Sequence, residues 1–119
     1  MPETSPDKEK LPGGAEIVVR DSENGRAVSA SIDDVVRIEL SENPTTGFRW
    51  QLSSIDAGVL SLQSDVFTPA SGAAVGGGGF HVFRFVAGGR GSCHVQFELR
   101  RSWESGLASS TFAIRVSVA

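Results

Sequence analysis

The strongest constraint on the fold is a strict alternation of apolar and polar residues in several short stretches. Residues 93–100 place Cys, Val, Phe and Leu on one side and His, Gln, Glu and Arg on the other, and residues 111–118 alternate equally cleanly. Successive side chains of a β-strand point to opposite faces, so each stretch predicts a strand with one buried face. No stretch shows a sustained apolar period of 3.6 residues, and the sequence therefore predicts an all-β protein.

Shorter stretches of β character precede these two. They span residues 15–20, 34–40, 48–53, 59–67 and 80–87. Turn-forming residues separate them, including Asn24-Gly25, which is the strongest hairpin dipeptide in the chain, and the glycine-rich run at 88–91. About seven to eight short strands joined by such turns are typical of a β-sandwich, in which alternate loops gather at one end.

Length and charge limit the domain count and the classes of partner. The 119 residues suffice for one domain with a hydrophobic core. Residues 1–13 are mostly Pro, Glu, Lys, Ser and Gly, which predicts a disordered leader before a domain at 14–119. The net charge of −3 argues against non-specific nucleic-acid binding, and no apolar run reaches the length of a membrane span.

The beginning of the chain bears on localisation. Residues 1–5 lack the basic region and apolar stretch of a signal peptide. We therefore expect a cytoplasmic protein, or a periplasmic or secreted one if a signal was removed before this sequence begins.

The candidate reactive side chains do not form a catalytic or metal-binding set. Cys93 is the single cysteine and is in phase with Val95 and its apolar neighbours, so we expect it to pack as a small buried hydrophobe. His94 points to the opposite face of the same strand. The spacing nominates no carboxylate partners for His81 and His94, so both are predicted to be solvated and neither a metal nor a cofactor is expected.

One loop has an unusually restricted sequence, Asn43-Pro44-Thr45-Thr46-Gly47-Phe48. Proline fixes its own φ and favours an extended conformation for the residue before it. Glycine can adopt the positive φ that closes a turn, and the two threonines are stiff at χ1. Such a loop loses little entropy when a partner orders it, although Asn-Pro and Thr-Gly also occur in ordinary turns.

Two further stretches complete a pattern. The run Gly76–Gly79 ends a long loop of small residues, and no Lys-Ser/Thr or helix follows it, which argues against a phosphate loop. Its lack of side chains lets backbone groups approach a partner closely. The second stretch is Arg101-Ser102-Trp103, in a polar loop. Its tryptophan either folds back as a lid on the core or is presented outward. Trp50 lies in an alternating strand and is expected in the core.

These three motifs, in this order, resemble those of the chagasin-like inhibitors of papain-type cysteine peptidases. The Asn-Pro-Thr-Thr-Gly-Phe motif matches in full, the Gly-x-Gly-Gly motif matches with glycine throughout, and Ser102 replaces the usual proline of an Arg-Pro-Trp or Arg-Pro-Phe motif. The resemblance covers about residues 15–119. It implies an immunoglobulin-like β-sandwich with the three loops side by side.

The resemblance also implies the function: a non-covalent, reversible and competitive inhibitor whose three loops block the active-site cleft. The protein would then be a monomer that binds papain-family peptidases, and not an enzyme. The implied peptidase-binding residues are Asn43, Pro44, Thr45, Thr46, Gly47, Phe48, Gly76, Gly77, Gly78, Gly79, Arg101, Ser102 and Trp103.

Two alternatives compete with this hypothesis. One is an immunoglobulin-like adhesion or carbohydrate-binding module that uses Trp103 as a stacking platform. Sugar sites usually place several polar side chains around the aromatic ring, whereas the neighbouring loops here are glycine and threonine. The other is an enzyme, for which the sequence offers no nucleophile–base pair.

Overall fold

The computed structural model describes residues 9–11, 14–70, 78–101, 103 and 106–119. These residues form nine strands and two short 3₁₀ turns, Asp21–Glu23 and Pro44–Thr46. The strands are β1 (Glu9–Leu11), β2 (Gly14–Arg20), β3 (Ala27–Ala30), β4 (Val35–Glu42), β5 (Phe48–Ser54), β6 (Leu60–Pro69), β7 (Gly79–Ala87), β8 (Gly91–Arg101) and β9 (Ser110–Val118). No helix among them has the length and hydrophobicity of a membrane span.

The strands form two sheets, which confirms the predicted all-β, immunoglobulin-like sandwich. One sheet has the order β1-β2-β4-β7-β6 and the other the order β3-β9-β8-β5. The β2–β4 and β3–β9 pairs are parallel, and the remaining neighbours are antiparallel. The chain crosses from the first sheet to the second between β4 and β5, which determines where the functional loops lie.

The core lies between the sheets and consists of the apolar rows that the alternation predicted. Phe83, Phe85 and Phe97 are fully buried, and the Phe83 and Phe97 ring centroids are 4.6 Å apart. Cys93 and Trp50 are also buried, as expected from their phase, and His94 is exposed. Aromatic packing of this kind contributes both buried area and favourable ring geometry to stability.

The Asn24-Gly25 turn forms, but it does not close a hairpin. The Arg26 N–H donates to Glu23 O at 3.0 Å, and Gly25 has a φ of 87°. The strands on either side belong to different sheets, so the turn carries the chain across the sandwich. The short strand β3, which the alternation did not reveal, is held by its pairing with β9.

The predicted leader lies largely outside the described residues. Of residues 1–13, only Glu9–Leu11 are described, and they pair antiparallel with the start of β2. The leader and its boundary at residue 13 therefore stay predictions.

Candidate functional site

The strand pairing brings the three motif-bearing segments to one end of the sandwich. We call them the Asn-Pro loop (residues 43–47), the glycine loop (70–78) and the tryptophan loop (102–109). Glu42, at the end of β4, pairs with Gly79, at the start of β7. Phe48, at the start of β5, pairs with Arg101, at the end of β8. The Asn-Pro loop thus joins the two sheets, with Gly78 of the glycine loop on one side of it and Trp103 of the tryptophan loop on the other.

The Asn-Pro loop is held by its own polar groups. The Asn43 side-chain oxygen accepts from the Thr45 N–H at 3.1 Å and from the Thr45 hydroxyl at 2.7 Å. The Thr46 hydroxyl donates to Asn43 O at 2.7 Å, and the Gly47 N–H donates to Pro44 O at 3.0 Å. Asn43 is extended and Gly47 has a φ of 82°, as the sequence predicted. Both threonines remain exposed at the tip.

Gly47 is also the point where the tryptophan loop rests on the Asn-Pro loop. A Cβ at Gly47 would overlap the six-membered ring of Trp103, so only glycine permits this contact. Arg101 donates from Nε to Thr46 O at 3.3 Å, and its guanidinium lies 4.2 Å from the Phe48 ring centroid and 5.8 Å from the Trp103 ring centroid. The two loops therefore form one surface.

Trp103 is presented outward, because 69% of it is exposed. The alternative of a lid folded onto the core does not fit this position. Leu107, on the same loop, is fully exposed at 100%. The sequence motifs did not indicate this residue. Ser102 lies outside the described residues.

Gly78, at the end of the glycine loop, lies against the Asn-Pro loop on the other side. A Cβ at Gly78 would meet Glu42 O at 3.5 Å and the Asn43 Cβ at 3.9 Å, which is ordinary contact. Gly79 has an internal reason to lack a side chain, since a Cβ there would overlap the backbone of Thr68 in β6. A shallow groove beside Asn43 and Gly78 is lined in part by Ala70 and Phe80. Gly76 and Gly77 lie outside the described residues.

A buried polar cluster lies directly beneath the loops. The Glu42 side chain is fully buried, and it accepts from Arg49 Nε at 2.9 Å, from the Trp50 N–H at 2.6 Å and from His81 Nδ1 at 2.9 Å. The other ring nitrogen of His81 contacts a carboxylate oxygen of Asp65. The prediction that His81 is a solvated strand histidine is therefore wrong.

The alternation of the sequence indicates that Glu42 and His81 are buried, although glutamate and histidine are more often found at the surface. Glu42 follows Val36, Ile38 and Leu40 in the buried row of β4, and His81 precedes Phe83 in the buried row of β7. Polar residues in a buried phase require partners, because a polar group without a hydrogen bond is costly to bury. The position of each residue in the alternation of its strand, rather than its residue type, predicts its burial.

Cys93 takes no part in this surface. It lies near the start of β8, toward the opposite end of the sandwich, and its sulfur accepts from the Asp56 N–H at 3.2 Å. The exposed His94 accepts at Nε2 from Arg115 Nε at 3.1 Å. Neither side chain therefore contributes to the loop end, whose described polar groups are those of the loops and of the cluster around Glu42.

Comparison with known proteins agrees with this arrangement. Residues 29–116, more than half of the chain, match the model of the chagasin family of peptidase inhibitors, I42. The chain belongs to the chagasin family. Chagasin of Trypanosoma cruzi is 28% identical over 90 residues, which cover 71% of this chain and 81% of that protein.

Two solved structures share the fold of this family member. The cysteine protease inhibitor EhICP2 of Entamoeba histolytica superposes with a TM-score of 0.77 at 18% identity, over 87% of this chain and 95% of that one. PbICP-C, solved in complex with falcipain-2, gives a TM-score of 0.65 at 15% identity, over 87% and 98% of the respective chains. At such identities the likeness shows the fold.

Membership of the chagasin family establishes the function as inhibition of papain-like cysteine peptidases, and the protein is not an enzyme. The exposed Trp103 therefore belongs to a protein whose partner is a peptidase, rather than to a carbohydrate-binding module.

Proposed function

We propose that the loop end of the sandwich is the inhibitory surface and that it closes the active-site cleft of a papain-like peptidase. The Asn-Pro loop would enter the cleft over the catalytic cysteine and histidine of the peptidase, with Thr45 and Thr46 nearest to them. The glycine loop would run along one side of the cleft and Trp103 would pack on the other. The observation that carries the proposal is that, at one end of the sandwich, Gly78 lies beside Asn43 and Trp103 rests on Gly47.

The geometry of the Asn-Pro loop explains why such an inhibitor would resist cleavage. Its turn is closed by hydrogen bonds from Thr46 and Gly47, so the backbone is not extended as a bound substrate would be. The loop is already ordered before binding, which lowers the entropy lost on association. A peptidase would therefore meet a rigid wedge and no correctly placed scissile bond.

Trp103 supplies the features expected of a binding anchor. Its ring is largely exposed yet supported from beneath by Gly47 and bordered by the Arg101 guanidinium. Tryptophan and arginine are enriched among the residues that dominate binding energy at interfaces. The inhibitor would bind as a rigid body and bury about 800 Å² on each partner. The structure of PbICP-C with falcipain-2 provides a precedent for a complex with a peptidase in this fold.

The direct test is a titration of papain and of a cathepsin L-type enzyme with the purified protein, using a small substrate. We expect competitive and reversible inhibition, with the inhibitor recovered uncleaved after long incubation with the enzyme. A serine peptidase of the trypsin type serves as the control and should not be inhibited. Failure to inhibit any papain-type enzyme at micromolar concentration would contradict the proposed function.

A further inference from the structure

We infer that Glu42 is a positioning residue for the Asn-Pro loop. Its buried hydrogen bond to His81 links this loop to strand β7, which follows the glycine loop, and holds the two as one rigid unit. This inference rests on the proposed function for its effect on inhibition, although its effect on the loop can be measured without a peptidase. The bridge consists of the buried Glu42 and His81 side chains and the half-exposed Asp65 side chain, and it contacts strands β4, β5, β6 and β7.

The topology shows why a side chain is needed at this place. Strands β4 and β5 flank the Asn-Pro loop but lie in different sheets, so no backbone ladder connects them. Glu42, immediately before the loop, accepts from Arg49 and Trp50 just after it. The Trp50 indole N–H donates to Ser41 O at 2.9 Å and adds a second tie across the base. The two ends of the loop are thus joined by side chains.

His81 extends this tie to the glycine-loop side. Strand β7 begins at Gly79, and the His81 ring lies two residues later, where its Nδ1 bonds to the same Glu42 oxygen that accepts from Trp50. The ring stacks on Phe83 with centroids 4.4 Å apart and planes 2° from parallel. Asp65, on the neighbouring strand β6, contacts the other ring nitrogen. A ring held in this way cannot reorient without breaking several contacts.

The chemistry requires a carboxylate at position 42. Both Glu42 oxygens accept, one from Arg49 and the other from Trp50 and His81. An amide of the same shape would direct an NH₂ group at one of these donors, and two facing donors repel. Glu42→Gln therefore keeps the side-chain volume but loses at least one of these three hydrogen bonds, together with the negative charge that strengthens the others.

The opposite end of β4 provides a matched control. Asp34 is also a buried carboxylate, and its two oxygens accept from the Ala15 N–H at 3.0 Å and from the Ser31 N–H at 2.9 Å. Asp34→Asn creates the same conflict between donors, far from the three loops. Both variants should lose stability, whereas only Glu42→Gln should affect the loop end.

The experiment measures dissociation of the papain complex at a temperature where each variant is fully folded. We expect dissociation about tenfold faster for Glu42→Gln, equivalent to about 1.4 kcal/mol, and an unchanged rate for Asp34→Asn. His81→Phe keeps a ring against Phe83 but removes both nitrogens, and it should act in the same direction. It serves as the second variant if Glu42→Gln does not fold.

A second readout uses the free protein. Backbone order parameters of Thr45, Thr46 and Gly47 from NMR relaxation should fall in Glu42→Gln and His81→Phe and should stay unchanged in Asp34→Asn. Equal effects of Glu42→Gln and Asp34→Asn on either readout, or no effect of Glu42→Gln and His81→Phe, would overturn the inference. If the wild-type protein fails to inhibit papain, the proposed function fails, and the order parameters still decide the role of Glu42.

Discussion

A buried carboxylate lies at each end of strand β4, Asp34 just before it and Glu42 at its last residue, and the two have different partners. At one end, the Asp34 carboxylate caps the Ser31–Asp34 turn and the start of β2 by accepting two backbone N–H groups. At the other end, the Glu42 carboxylate accepts from one backbone N–H and two side chains, beneath the exposed Thr45 and Thr46 of the Asn-Pro loop. Buried carboxylates need such donors wherever they occur. Under the proposed function, the same stabilising carboxylate also supports binding where its partners flank the Asn-Pro loop.

The largest expected effects come from removing either carboxylate entirely. Glu42→Ala and Asp34→Ala should each lower the free energy of unfolding by about 3 kcal/mol, because each leaves buried donors unpaired. Urea denaturation measures both changes, and only Glu42→Ala should also weaken inhibition of papain. A much smaller loss for Glu42→Ala than for Asp34→Ala would show that the Glu42 bridge is not closed in solution.

Trp103→Ala should have the next largest effect, confined to binding. We expect affinity for papain to fall by about 2 kcal/mol, as the loss of an aromatic anchor does. The midpoint of thermal unfolding should change little because the ring is mostly exposed. The opposite pattern, a large fall in melting temperature with unchanged affinity, would show that Trp103 supports the fold instead of the complex.

Alanine substitutions at two glycines distinguish the effect of backbone conformation on stability from the effect of the Gly47–Trp103 contact on inhibition. Gly47 and Gly25 both have positive φ, at 82° and 87°, but only Gly47 is covered by Trp103. Substitution by alanine should cost each site about 1 kcal/mol of stability, because a side chain disfavours this conformation. Inhibition constants should rise about tenfold for Gly47→Ala alone. A similar rise for Gly25→Ala would show that global stability, and not the loop contact, controls affinity.

The smallest effect is expected for Cys93→Ser, toward the Asp34 end. Cys93 is buried, and its sulfur accepts from the Asp56 N–H. A serine hydroxyl can replace that acceptor but is less favourable in an apolar site, so we expect a loss of about 1 kcal/mol. Inhibition should be unchanged in a titration of papain. Loss of inhibition by a folded Cys93→Ser variant would assign the cysteine a role that its position does not suggest.

Much of this architecture could be predicted from the alternation of residues alone. The rows that contain Phe97 and Phe112 were predicted to face inward, and they do. The strand β3 could not be predicted in this way, because Ala27–Ala30 has little β character of its own and depends on pairing with β9. The Asn24-Gly25 turn likewise has a local sequence that suits a hairpin. The following strand, β3, instead joins the other sheet because it pairs with β9, which is distant in sequence.

The site was predicted in part. The motifs indicated the three loops, and the structure places their described residues at one end, with Gly47 against Trp103. Gly76, Gly77 and Ser102 lie outside the described residues, and the peptidase-binding role of every predicted residue stays a proposal. The support beneath the loops was missed because glutamate and histidine are usually solvated. Their phase on β4 and β7 indicated burial, and the contacts between strands that satisfy them arise only in the folded chain.

The most direct test of the central claim is an NMR titration of the ¹⁵N-labelled protein with papain. The proposed complex should shift or broaden the amide signals of Thr45, Thr46, Gly47 and Gly78 and the indole N–H of Trp103. Signals from the Ser31–Asp34 turn, at the opposite end of β4, should stay in place. Changes confined to that turn or to the outer faces of the sheets, with the loop signals unmoved, would contradict the claim that the loop end is the inhibitory surface.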